Sequence, residues 1–185
     1  GAVFDEPSLL TQPSISPAAN RWQAGLMYGL KHQGVAVRTI GHLSEPMWPK
    51  GRLKISSNTA RLAEGIDGEL IGYPNLPRIR MRYPASRYRD RVDSAIQRHG
   101  MPAAVISYNA YAYNIAASEL AQSKYELPWV CIVADVPDSK PAQTRYNNAL
   151  SRAEGRIYLS WSRMQQSKLS PNLYLDGTSD GIKLD

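Results

Sequence analysis

At 185 residues, with 43% hydrophobic and 21% charged residues, the chain can bury one core and falls outside the disordered, collagen-like and disulfide-scaffold classes. Its one cysteine, Cys131, excludes an internal disulfide, and its longest apolar run, Trp129 to Ala134, is far short of the roughly 20 residues of a membrane-spanning helix. The formal charge of +6 favours anions without choosing among nucleotide phosphates, acidic lipid and nucleic acid.

Short β-rich runs alternate with helical stretches, the pattern of a parallel sheet with crossover helices. We therefore expect an open, mostly parallel, Rossmann-like α/β sheet with helices on both faces, built as a single domain over residues 1–185. Ala2 to Phe4 reads as the end of a first strand, and Asp5 to Ile15 as the loop after it. Ser16 is an N-cap residue and Pro17 suits the first helical position, where a missing N–H is harmless. Trp22, Leu26 and Leu30 recur every four residues as the buried stripe of this first helix. Gly25 and Gly29 would let it lie close to a sheet, and Gly34 ends it. Val35 to Ile40 reads as the second strand. Gly41 to Ser57 reads as a loop with one edge strand around Leu53 to Ile55, and Glu69 to Gly72 as a short strand.

Tyr83 to His99 is a basic helix stopped by Gly100, Ala103 to Ser107 a strand, and Ala112 to Lys124 an alanine-rich helix behind it. Trp129 to Ala134 is apolar throughout, which marks a central parallel strand buried on both faces. A helix over Lys140 to Ala153, a strand over Arg156 to Leu159, a short helix and a last strand over Leu173 to Leu175 complete the pattern. The chain starts almost inside its first strand and without an initiator methionine, so residues are expected upstream.

Much of the positive charge lies between Arg78 and Arg98. Arg78, Arg80 and Arg82 at period two would share one face of an extended segment, and Arg87 and Arg91 would share a helix face. The plain reading is a solvated basic face; the functional one is an anion-binding or membrane-facing surface formed by Arg80, Arg82, Arg87 and Arg91.

The sharp motifs are mostly exclusions. Neither G-x-G-x-x-G nor G-x-x-x-x-G-K-[ST] occurs, so dinucleotide and P-loop readings lose support. His32, His42 and His99 are far apart, with no carboxylate or cysteine at ligand spacing, and neither a metal nor a bound cofactor is expected. Cys131 sits in the most apolar run and reads as an inert packing thiol. Gly177 to Gly181 matches G-x-S-x-G, but no histidine follows it, so it reads as a polar turn.

In open α/β sheets ligands bind outside the carboxyl ends of the strands. The polar residues there are Asp5 and Glu6 after the first strand, then Ser14 and Ser16 leading into the first helix N-terminus, then Tyr108, Asn109 and Tyr111, then Asp135. Amide, hydroxyl, carboxylate and aromatic groups on one edge suit a sugar or nucleotide. Each also has a plain structural role open to it: Asp135 could cap a helix, Asn109 hold a turn, and the tyrosines pack a wall.

Three segments carry a family resemblance: Ser14 to Trp22 (SISPAANRW), Trp48-Pro49-Lys50-Gly51, and Val105 to Asn109 (VISYN). The chain resembles the amino-terminal domain of a family 4-type glycosyltransferase. That resemblance implies a two-domain enzyme of the B-type fold; the single cysteine makes a reducing, cytoplasmic compartment the default, with peripheral membrane contact through the arginine face. This part would hold a sugar or lipid-linked acceptor, and a missing carboxyl-terminal domain would grip the nucleotide-sugar donor. Within it, Ser14, Ser16, Asn20, Asn109 and Tyr111 are the expected acceptor-side contacts, and Asp135 is the candidate base. The loop Thr11 to Pro17 lacks the glycine pair that the family often has there. The competing reading is a stand-alone basic module for anionic lipid or nucleic acid, whereas the transferase reading expects no nucleic acid partner.

Overall fold

The computed structural model describes residues 16–63, 66–80 and 83–175. The expected first strand and its loop, Ser14, Arg82 and the Gly177 to Gly181 turn lie outside those residues. The chain divides into two compact units, one reaching Pro84 and the other spanning Ala85–Gly177.

In the first unit, helix α1 (Pro17–His32) begins as its sequence dictates: the Ser16 side chain accepts from the Ala19 N–H at 3.3 Å and Pro17 opens the first turn. It ends at Gln33, and Gly34 follows at φ +77°, a left-handed conformation that glycine adopts without a Cβ clash. Its inward face differs from the expected stripe. Asn20 and Met27 are the buried positions, and Met27 packs with Ile66, Ala24, Tyr28 and Val37. Trp22, Leu26 and Leu30 are only half-buried. Gly25 and Gly29 are exposed, and a Cβ on either would meet nothing within 4 Å, so they mediate no close approach to a sheet.

Strand β1 (Thr39–Gly41) is shorter than the apolar run suggested, because pairing starts only where Thr39 meets Gly68 of β4 (Ile66–Leu70). Strand β3 (Asn58–Ala63) runs antiparallel to β4 and completes a three-stranded mixed sheet in the order β1-β4-β3. Its sequence, NTARLA, carries no apolar alternation and gives no strand signal. The expected edge strand appears as β2 (Lys54–Ile55), paired antiparallel with β5 (Tyr73–Pro74). Gly72 makes this corner possible: a Cβ there would lie 2.4 Å from the Ser57 nitrogen and 2.6 Å from the Ile55 carbonyl oxygen.

The expected extended arginine segment is a turn. The Arg80 N–H donates to the Leu76 carbonyl at 3.1 Å, Pro77 stands at the bend, and Arg78 has φ +66°. Proline presets the backbone angle of a turn, which overrides the period-two pattern of the arginines.

Helix α2 (Tyr83–His99) has the expected bounds and leads into the second unit, with Gly100 past its end at φ +87°. From there strand and helix alternate: β6 (Val105–Tyr108), α3 (Ala112–Tyr125), β7 (Trp129–Val133), α4 (Lys140–Leu150), β8 (Gly155–Tyr158), α5 (Trp161–Gln166) and β9 (Asn172–Tyr174). The four strands form one all-parallel sheet in the order β6-β7-β8-β9. The molecule is thus an α/β protein.

Trp129, Cys131 and Val133 alternate along β7 and face Tyr146, Ala149 and Leu150 of α4, with Ile115 of α3 and Met164 of α5 against the same cluster. The three crossover helices therefore lie on one face of this sheet, as same-handed crossovers between successive neighbours require. The opposite face carries Ile106 and Leu173, both exposed, and between them Ile132, which is buried. Arg156 is buried in the helix-covered face as a tie: Nε donates to the Leu150 carbonyl at 2.9 Å, and Nη2 donates to that of Ala153. Burying a cation needs such saturation by acceptors.

Candidate functional site

The carboxyl end of the second sheet is organised around Asn109, the first residue past β6. The parallel register sets Tyr108 beside Ile132, and the Asn109 N–H donates to the Ile132 carbonyl at 2.8 Å, so the end of β6 is tied to β7. The Asn109 side chain has no solvent exposure. Its Oδ1 accepts from the backbone N–H groups of Ala134 at 2.9 Å and Asp135 at 3.0 Å, and from the Tyr146 hydroxyl at 3.4 Å. Its Nδ2 donates to Asp135 Oδ2 at 3.2 Å and to the Tyr111 hydroxyl at 3.3 Å. The backbone of Asn109 is left-handed, at φ +61°. Asparagine tolerates that conformation better than most residues, and here Asn114 Nδ2 secures the bend by donating to the Tyr108 and Asn109 carbonyls at 2.7 and 2.9 Å.

This network orients two exposed groups. Asp135 follows the central strand with its carboxylate open to solvent, and Tyr111 stands before the first turn of α3. The Tyr111 ring leans on Tyr113 with centroids 5.6 Å apart, and Tyr113 leans on the buried Tyr88 of α2 at 5.0 Å. Burial, with the Asp135 carboxylate nearby, pushes the Tyr108 hydroxyl up to about 12, so it stays neutral and can donate at physiological pH. Cys131, deep in the helix-covered face, is pushed up to about 11 by burial and stays a thiol.

Of the sequence-derived candidates, Asn109, Tyr111 and Asp135 are brought together. Asn109 positions the other two, since every polar atom of its buried amide is already bonded within the protein. Ser16 caps α1 and Asn20 is buried on that helix; both belong to the first unit. Among the arginines, Arg80 Nη1 donates to the Glu45 carbonyl at 3.0 Å, in the first unit. Arg87 and Arg91 share one side of α2 four residues apart, with Arg87 exposed and Arg91 half-buried. His42 meets Tyr73 edge-on at 5.7 Å, and burial pushes it down to about 4, so it is uncharged at neutral pH.

Among the described residues no three His, Cys, Asp or Glu side chains gather where they could hold a metal ion. No described helix is long and apolar enough to cross a membrane. Comparison with known proteins finds no matching family model, no matching curated protein and no matching solved structure.

The strand end after β8 escaped the sequence reading. Ser160 and Trp161 stand there, and the Trp161 ring meets Tyr174, the last residue of β9, edge-on with centroids 5.4 Å apart. The signal was present, as an aromatic residue directly after a strand, but periodicity assigns Trp161 only to a short helix.

Proposed function

We propose that this chain is the acceptor-side part of a sugar-transferring enzyme. In this reading the four-stranded sheet belongs to an open, Rossmann-like arrangement with helices on both faces. The nucleotide-sugar donor is gripped mainly by a further domain, and a sugar or lipid-linked acceptor lies along the carboxyl edge of the strands. The observation that carries it is the Asn109 amide, buried in a left-handed bend, whose Nδ2 donates to an exposed carboxylate and an exposed phenol at that edge while its Oδ1 fixes the backbone behind them. Strained, fully determined backbone is kept where it holds a working group in place. Asp135 would then orient an acceptor hydroxyl or take its proton during transfer. The exposed Arg87 side of α2 suits docking on anionic lipid beside such an acceptor.

The test is nucleoside diphosphate release by the full-length protein from a panel of nucleotide sugars, with and without added acceptors. Asp135→Asn should lower the acceptor-stimulated rate by ten- to a hundredfold and leave the far-ultraviolet circular dichroism unchanged. Wild-type turnover by that variant, or no turnover of any donor by the parent protein, would contradict the assignment.

A further inference from the structure

The carboxyl edge of the second sheet carries two exposed aromatic rings. Tyr111 stands after β6 and is 41% exposed; Trp161 stands after β8 and is 56% exposed. Each meets another ring, Tyr111 the tilted ring of Tyr113 and Trp161 the ring of Tyr174 edge-on, and such contacts orient a ring that stays largely exposed. In the strand order β6-β7-β8 the strand between them is β7, and its end carries Asp135. Two strand spacings separate the elements that bear the rings, about 10 Å.

The charge of this edge narrows what it can hold. The connections Asn109 to Tyr111, Ala134 to Ser139 and Leu159 to Ser160 contain no lysine or arginine, and they contain two acids, Asp135 and Asp138. A phosphorylated ligand would meet a carboxylate there, with the nearest basic residues in sequence, Lys140 and Arg163, belonging to helices α4 and α5 and not to these connections. A neutral ligand with apolar ring faces and many hydroxyls has what the edge lacks: its C–H faces pack on the aromatic rings, and its hydroxyls donate to the carboxylate.

We infer that Tyr111, Asp135 and Trp161 form one extended subsite for an uncharged glycan of more than one sugar ring, with Trp161 as the outer platform. The inference rests on the proposed function and adds the acceptor's class and length: a neutral oligosaccharide or glycan chain, whose ring nearest Asp135 is the one acted on. Trp161 is a specificity residue here, because it touches a ring of the ligand remote from the reacting hydroxyl.

The experiment is binding of the full-length protein, displayed in many copies on beads, to an array of neutral and charged glycans of graded length. The expected result is retention of neutral glycans of two or more rings. Trp161→Ala should weaken their binding about tenfold or more, Trp161→Phe should keep most of it, and Trp161→Ala should leave single sugars unchanged. Binding that is indifferent to Trp161→Ala, a preference for charged glycans, or no retained glycan would overturn the inference. The nucleotide-sugar assay separates this failure from that of the parent reading. If Asp135→Asn still lowers acceptor-stimulated transfer while Trp161→Ala changes neither binding nor acceptor length preference, the extended subsite falls and the transferase reading stands.

Discussion

Replacing Asn109 with alanine would leave the Ala134 and Asp135 N–H groups and the Tyr146 hydroxyl without the oxygen they share, and would place a Cβ without a compensating amide in a left-handed bend. A stranded buried polar group costs about 1–3 kcal/mol, so the variant should lose about 3 kcal/mol or more. Urea unfolding of the full-length protein checks this; a loss under 1 kcal/mol would mean that the network is weaker than its geometry. Asp135→Asn, at an exposed position, should stay within about 0.5 kcal/mol of the parent. The sequence marked both residues as polar groups past strand ends. It could not show that they bond to each other, because the contact depends on the β6-β7 register across 26 positions. Nor could it separate the residue facing a ligand from the one that positions it, a distinction that rests on burial.

At the level of elements, punctuation by proline and glycine was the most readable signal. Pro17 and Gly34 bracket α1, and Gly100 follows α2 in the left-handed conformation those sites require. The apolar run of β7 likewise declared a central strand. What local pattern could not give was β3, whose polar residues are held by pairing with β4, and the rotation of α1 that buries Asn20 and Met27 in place of the tryptophan-leucine stripe. Glycines separate the two kinds of constraint. Gly25→Ala and Gly29→Ala fill open space on a helix and should each stabilise by about 0.5–1 kcal/mol. Gly72→Ala drives a Cβ against the backbone of Ser57 and Ile55 and should destabilise by about 2–3 kcal/mol or more. Thermal unfolding of the three variants should thus give shifts of opposite sign; a neutral Gly72→Ala would mean that the corner relaxes.

On the scale of the whole molecule, α/β character followed from the alternation of strand and helix, and the parallel β6-β7-β8-β9 sheet carries it out. The first unit adds antiparallel pairing, β3 with β4 and β2 with β5, that alternation does not encode. Of the arginines, Arg80 lies in a turn of the first unit and bonds the Glu45 carbonyl, while Arg87 lies on α2. The acidic, aromatic strand edge is chemically distinct from those basic groups, and the account assigns ligand binding to that edge. Hydrogen exchange of the full-length protein, with and without the neutral glycan that it retains best on an array, tests this most directly. Slowed exchange should concentrate at residues 109–112, 133–139 and 159–162. Protection confined to residues 16–80, or to the exposed side of α2, would contradict the assignment.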